Sequence, residues 1–344
     1  MNKSTSIYNK DYSISLTRLI ATSFIVICHI MQYLGAELAW WFNVGVQMFL
    51  CMSGFLYGRR EIKDAKAFYK KQLSKILIDY YIVILTVSLL QFILLPEEIT
   101  LVVFAKSLIA FGTLGGGTHL WYIPYILLCY IACPVLSWMV RQFYSEGNQK
   151  KLITYSLATM AVVLVLFSTF FSYFNSAWIN CFIIGFILGF CEESAKSAFK
   201  TIYISILAAA VSMNTVRIAI DYLLQIKFDG VIGMAYSLFK CYSHVALGCS
   251  IFLAIRSLLS RKMSGSNLPG IIKKPLDFSD RLSYDVYLVH QFIILGPMSL
   301  MALTKITALN VIVIVTLTTV LALIVNFTSG FLNSIPKKMK NIKQ

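Results

Sequence analysis

Apolar stretches of membrane length recur along almost the whole chain, and they constrain its fold more than any other feature. A helix needs about 20 apolar residues to cross the roughly 30 Å hydrocarbon core of a bilayer. In lipid only helices and closed barrels satisfy their own backbone groups. We therefore predict an all-α membrane protein, a polytopic bundle of about ten transmembrane helices. The predicted spans are residues 13–34, 40–58, 76–95, 119–140, 152–174, 177–191, 201–222, 233–256, 282–302 and 308–331.

The composition excludes a soluble domain with a polar surface. Hydrophobic residues make up 58% of the 344 residues and charged residues only 13%, and the mean hydropathy is +0.75. We expect a cytoplasmic N-terminal tail (1–12), one membrane domain (13–331) and a basic cytoplasmic tail (332–344). The segment 99–113 is expected to be an interfacial or re-entrant helix.

The positions of the basic residues predict the orientation, because Lys and Arg collect in cytoplasmic loops. Placing the N-terminus inside puts the basic loop 59–75 and the C-terminal lysines on the cytoplasmic side. Only Lys106, Lys227 and Lys305 then fall in outer loops. Both termini are therefore predicted to be cytoplasmic. The net charge of +15 is accounted for by topology and attraction to anionic lipid, so it does not indicate nucleic-acid binding.

Two ionisable residues lie inside the first span, eleven positions apart: Arg18 and His29. Such groups are costly in a membrane and favour a functional role. On a helix they share one face and lie roughly 16 Å apart. Simpler roles remain open, because Arg18 could extend to the headgroups and His29 could hydrogen-bond a neighbouring helix.

Three other polar groups are candidates for a site, each with a simpler reading. Lys71 and Lys75 lie in the basic loop, which is a topology signal that also suits an anionic ligand. His119, Trp121 and Tyr122 lie outside, where aromatic residues suit the membrane interface. Ser283, Tyr287 and His290 form a polar stripe on the ninth span, which must avoid lipid.

The remaining charged pairs and the cysteines have structural interpretations. Arg281 and Asp285, like Arg217 and Asp221, have the i, i+4 spacing of a helical ion pair. The eight cysteines lie in or at the ends of spans and are predicted to be buried free thiols. No metal site is predicted.

Four motifs in this order resemble acyltransferase family 3, whose integral membrane proteins acylate extracytoplasmic sugars and other acceptors. The first is the Arg and His pair of the first span, Arg18 and His29. The others are GVQMFLCMSGF at 45–55, HLW at 119–121 and SYDVYLVH at 283–290. The resemblance covers residues 14–291. The family commonly has R-x-x-R before the third span, where this chain has Gln72 and Lys75.

The resemblance implies an O-acyltransferase of the cell membrane, in particular an O-acetyltransferase. It would transfer an acyl group from cytoplasmic acyl-CoA to a hydroxyl of a cell-surface polysaccharide, without a metal. His29 would act as general base or acyl carrier, and Arg18, Lys71 and Lys75 would bind the donor. Residues expected to contact the acceptor are His119, Trp121, Tyr122, Tyr287 and His290.

Two alternatives remain open at this stage. A transporter or flippase for a lipid-linked sugar or another metabolite would also need polar groups along its axis. A family member could instead acylate a lipid or a peptide. The oligomeric state is not predicted.

Overall fold

The computed structural model describes residues 10–97, 99–144, 149–171, 173–259 and 268–342. The protein is 82% helical, and these ranges contain no strand. The predicted tails lie partly outside the described residues, at 1–9 and 343–344. The helices are α1 (Tyr12–Tyr33), α2 (Ala39–Phe42), α3 (Val44–Gly58), α4 (Ala65–Leu94), α5 (Leu101–Leu108), α6 (Tyr122–Phe143), α7 (Gln149–Thr169), α8 (Ser176–Ser194), α9 (Lys196–Ile218), α10 (Gly230–Leu259), α11 (Gly270–Ile294) and α12 (Thr307–Ile342).

Nine segments in the described ranges are helical, long and apolar enough to cross a membrane. They correspond to nine of the ten predicted spans, and the predicted polytopic bundle is confirmed. The short helix α5 occupies the segment predicted to be interfacial or re-entrant. All eight cysteines are free and buried, as predicted.

The ninth predicted span, 282–302, has no counterpart among these nine segments and was predicted with wrong bounds at both ends. Helix α11 begins at Gly270 and ends at Ile294, and it is not among the nine apolar segments. Its first half is largely exposed, whereas Leu282 to Ile294 are mostly buried. The protein therefore surrounds the half of α11 that carries the polar stripe of Ser283, Tyr287 and His290, which lipid would not solvate.

Helix α4 begins eleven residues before the span predicted at 76–95. Asp64 caps it by accepting a hydrogen bond from the backbone N–H of Ala67 at 3.0 Å. Much of the predicted basic loop is therefore the first turns of a helix. This fixes which of its residues face the protein interior.

Helices α3 and α8 cross with their backbones in direct contact. Each has two glycines four residues apart, Gly54 and Gly58 on α3 and Gly185 and Gly189 on α8. A Cβ atom at any of the four would collide with a backbone carbonyl of the other helix. Small residues at this spacing are a common means of close helix packing in membranes. This crossing fixes α3, which contributes to the cavity described below.

Helices α1 and α11 run side by side in the same direction. At one end of this helix pair Lys10, which precedes α1, donates to Asp277 at 2.7 Å, and Arg18 forms an ion pair with Asp280. At the other end the rings of His29 and His290 lie 5.1 Å apart. Both members of the predicted pair on α1 therefore face α11.

Candidate active site

Three of the chain's four histidines meet where α1, α11 and the start of α6 come together. The ring centroids of His290 and His119 are 4.9 Å apart, and those of His29 and His119 are 6.4 Å apart. His119 and His290 are buried, whereas His29 is partly exposed. We call these three residues the histidine cluster.

Each ring of the cluster has one nitrogen directed at an oxygen acceptor. Nδ1 of His290 lies 2.7 Å from the carbonyl oxygen of Tyr287, and Nε2 of His119 lies 3.1 Å from that of Leu288. Nδ1 of His29 lies 2.7 Å from Oε1 of Gln32. A carbonyl oxygen only accepts hydrogen bonds, so these nitrogens carry the proton in the neutral rings. The opposite nitrogens are then acceptors.

Two of those acceptor nitrogens are buried without any partner. They are Nε2 of His290 and Nδ1 of His119. Buried polar atoms are nearly always hydrogen-bonded, and one that is not calls for an explanation. A hydroxyl group placed among the three rings would donate to such a nitrogen, so the cluster is suited to bind and deprotonate an alcohol.

Contacts between α11 and the short 3-10 turn at Thr118–Trp121 hold the cluster together. The Tyr287 hydroxyl donates to the carbonyl oxygen of His119, and Nε2 of Gln291 donates to Oγ1 of Thr118 at 2.5 Å. Before the turn, Gly116 has φ +77° and lies against Gly296, which has φ +84°. Such φ values and close approach favour glycine. The two loops thus bring His119 to His290.

A cavity of about 200 Å³ extends from the charged ends of α1 and α11 toward the cluster. At the charged end, which we call the basic mouth, it is lined by Arg18, Lys75 and Arg281. At the other end it is lined by Tyr122 and Tyr287, whose rings are 5.3 Å apart. Tyr287 in turn contacts His119. Among the described residues, no histidine lines the cavity. Tyr122 and Tyr287, which we call the tyrosine pair, therefore separate the cavity from the cluster.

A network of ion pairs surrounds the basic mouth. Lys10 also binds Asp280 at 2.9 Å, so Asp280 lies between Lys10 and Arg18. Outside the membrane-spanning part, the hydrogen bond from Lys10 lowers the pKa of the exposed Asp277 carboxyl. Arg18 is thus held in the lining by α11 and does not extend freely to the headgroups.

The structure brings most of the predicted site residues to the cavity or the cluster, with two exceptions. Lys71 is exposed and does not line the cavity, whereas its neighbour Gln72 does. Trp121 packs against Trp178, with ring centroids 5.6 Å apart, and does not line the cavity.

Sequence reasoning missed two carboxyl groups on the cavity wall, those of Asp79 and Asp285. The predicted ion pair between Arg281 and Asp285 is wrong, because Asp285 instead accepts from Nδ2 of Asn326 at 3.0 Å. Asp79 and Asp285 both lie inside predicted spans, and this position was the signal that could have identified them as site residues. The predicted pair of Arg217 and Asp221 is present at 3.3 Å.

No group of three or more His, Cys, Asp or Glu in the described ranges has an arrangement that could hold a metal ion. Compared with known proteins, residues 11–329 match a family model whose description is "Acyltransferase domain". No curated protein and no solved structure matches the chain.

Proposed function

Because this chain is a membrane protein that belongs to acyltransferase family 3, we propose that it O-acylates a polysaccharide of the cell surface. The acyl group, in this proposal acetyl, comes from acyl-CoA on the cytoplasmic side. The acceptor is a sugar hydroxyl that reaches the histidine cluster from outside. Localisation in the cell membrane and cytoplasmic termini belong to the same proposal.

The observation that carries this proposal is the pair of buried imidazole nitrogens without a donor. Nε2 of His290 and Nδ1 of His119 lie beside the partly exposed His29. A substrate hydroxyl would supply the missing hydrogen-bond donor. A neutral imidazole removes a proton effectively near pH 7, since its ordinary pKa is about 6.5.

In this proposal His29 is the catalytic base, or it accepts the acyl group and passes it on. His119 and His290 bind the hydroxyl and orient it. The partial exposure of His29 supports its role in meeting an acceptor that arrives from outside.

The donor phosphates would bind at the basic mouth, to Arg18 and Lys75, with Gln72 beside them. Arg18 and His29 are eleven residues apart on one helix, which separates them by roughly 16 Å. An extended acyl-CoA arm lying in the cavity would bridge this distance. The tyrosine pair would then have to move aside for the acyl group to pass.

Mass spectrometry of the surface polysaccharide tests the proposal. Cells producing the wild-type chain should carry ester-linked acyl groups that cells lacking the gene do not. His29→Ala should abolish them while the protein stays in the membrane at normal amounts. The matched control is His244→Ala, since His244 is a buried histidine that packs against Trp40 and Trp41, outside the cluster.

An unmodified polysaccharide in wild-type cells would overturn the proposed acceptor. If acyl-CoA were still consumed and a lipid or a peptide were modified, the enzyme class would stand with another acceptor. Movement of a sugar lipid that does not depend on acyl-CoA would instead favour a transporter.

A further inference from the structure

The carboxyl groups of Asp79 and Asp285 lie within hydrogen-bonding reach of each other on the cavity wall. Asp79 is on α4 and Asp285 is on α11, so the contact joins two helices. Asp285 is 1% exposed. We call these two residues the carboxyl pair.

Helix α12 packs against the carboxyl pair. Asn326 donates from Nδ2 to Oδ2 of Asp285 at 3.0 Å, and Ser329 of the same helix lies near Asp79. One oxygen of each carboxyl group, Oδ1, is buried and has no donor in the protein. Two acceptor oxygens without a donor are both satisfied if one proton lies between the carboxyl groups.

Electrostatics favours the same arrangement. Two carboxylates in contact cannot both ionise easily, because like charges at this distance repel strongly in a low dielectric. The pair therefore holds one proton, and its protonation belongs to both residues together. Charged and titratable groups of five helices line the same cavity: Arg18 on α1; Tyr57 on α3; Lys75 on α4; Tyr122 and Tyr130 on α6; and Asp280, Arg281, Tyr284 and Tyr287 on α11.

The proposed reaction needs a proton on this side of the tyrosine pair. The acceptor hydroxyl loses its proton to an imidazole of the cluster as its oxygen bonds to the acyl carbon. The carbon–sulfur bond of the thioester then breaks and leaves a thiolate. That thiolate lies in the cavity, whereas the proton taken from the hydroxyl is on the histidine beyond the tyrosines.

We propose that the carboxyl pair is the general acid that protonates the leaving thiolate. The proton moves from the pair to the sulfur, and the pair becomes doubly ionised until it regains a proton, which balances the one left on the histidine. This inference rests on the proposed acyl transfer from acyl-CoA.

The position of the pair along α11 fits this role. Asp285 precedes His290 by five residues, which corresponds to roughly 7.5 Å along the helix axis toward the basic mouth. A hydroxyl bound to an imidazole of the cluster lies about 2.8 Å from its nitrogen, and the carbonyl carbon of a donor in position to react lies about 3–3.5 Å further toward the basic mouth. The thioester sulfur, bonded to that carbon on the side of the basic mouth, therefore comes to the level at which the carboxyl pair lines the cavity.

The leaving group itself provides the test. The acceptor is surface polysaccharide from cells that lack the gene. Transfer of the acyl group to this polysaccharide is measured in single turnovers with purified full-length protein. Two donors are compared, acetyl-CoA and its selenoester analogue, whose selenolate leaves without protonation. Asp285→Asn should slow the thioester reaction by roughly 100-fold or more, whereas the selenoester reaction should stay close to the wild-type rate.

Asp79→Asn removes the other carboxyl group of the pair, the one on α4. It should likewise slow the thioester reaction and leave the selenoester reaction close to the wild-type rate. The matched control is Asp229→Asn, since Asp229 is an exposed aspartate that does not line the cavity. It should leave both donors unaffected. Asparagine keeps the size of the side chain, and the amount of folded protein in membranes is measured for every variant.

Equal slowing of both donors by Asp285→Asn and Asp79→Asn would overturn the inference, because a packing defect does not depend on the leaving group. Unchanged thioester rates would overturn it as well. In both cases the active wild-type protein leaves the proposed function standing. Only a wild-type protein that transfers from neither donor would remove the proposed function, and this inference with it.

Discussion

Substituting alanine for Gly185 should destabilise the protein by forcing α8 away from α3. The added Cβ would come closest to the carbonyl oxygen of Cys51, and it would lie 2.8 Å from the carbonyl carbon and 2.9 Å from the Cα of that residue. Carbon atoms pack favourably at about 3.5–4.0 Å, so the helices would have to separate by at least about 1 Å. The obstacle is backbone, which cannot rotate aside as a side chain can.

The expected magnitude follows from two opposing effects. Overpacking of this kind typically costs about 1–3 kcal/mol, and replacing glycine by alanine in a helix returns up to about 1 kcal/mol. The free energy of unfolding should therefore fall by roughly 1–2 kcal/mol. Activity should fall too, because α3 carries Met52 and Ser53 into the cavity lining.

The same substitution at Gly330 is the matched control. Gly330 lies in helix α12, and a Cβ there meets no atom within 4 Å. Gly330→Ala should leave the midpoint of thermal unfolding, Tm, unchanged or slightly raised.

Unfolding can be followed in detergent with a thiol-reactive dye, since all eight cysteines are buried and free. A lowered Tm for Gly185→Ala and an unchanged or raised Tm for Gly330→Ala is the expected result. If the two variants have the same Tm, the close α3–α8 crossing is wrong.

Further predictions concern the cluster, the basic mouth and acidity. His119→Ala and His290→Ala should each lower acyl transfer by on the order of 10²-fold or more at normal protein amounts, and near-normal activity would remove them from the proposed site. Lys75→Ala should raise KM for acyl-CoA but not for acyl-pantetheine, which lacks the nucleotide phosphates. Lys71→Ala, the control, should leave KM unchanged for both donors. If Lys75→Ala changed KM equally for the two donors, phosphate binding at Lys75 would be wrong. The contact with Lys10 lowers the pKa of Asp277, so it stabilises the fold above the ordinary carboxyl pKa and this contribution is lost as the pH falls. Asp277→Asn should make Tm less sensitive to acidification, and an unchanged pH profile would contradict this account.

Most of the fold was predictable because transmembrane spans are local features of the sequence. A run of apolar residues specifies its own helix in lipid, whatever its neighbours are. Helix α11 was predicted less well because its first half is charged and exposed, and only its second half is buried in the protein. Its beginning at Gly270 lies in a stretch with Lys273, Lys274 and Pro275, which does not resemble a span.

The candidate site was only partly predictable because its contacts join distant parts of the chain. Arg18 and His29 could be related to each other through the geometry of one helix. Nothing in the sequence brings His119 and His290, which are separated by 170 intervening residues, into contact. The Gly116 and Gly296 loops do so, and their meeting is a tertiary event.

The exact rotation of a helix was also beyond the sequence. Lys71 and Gln72 are neighbours, but α4 turns Gln72 toward the cavity and leaves Lys71 exposed. For Arg281 and Asp285 the i, i+4 spacing favoured an ion pair. The neighbouring helices α4 and α12 supplied Asp79 and Asn326 as competing partners, which local spacing does not reveal.

The contact between Tyr122 and Tyr287 has a consequence for the cell's energy supply. If water joined the cavity with its carboxyl pair to the imidazoles of the cluster, protons could pass along these groups through the membrane. Such a leak would dissipate the electrochemical gradient that drives ATP synthesis. The two phenol rings pack edge to face, with centroids 5.3 Å apart, and interrupt that path, so the proposed site keeps the bilayer insulated.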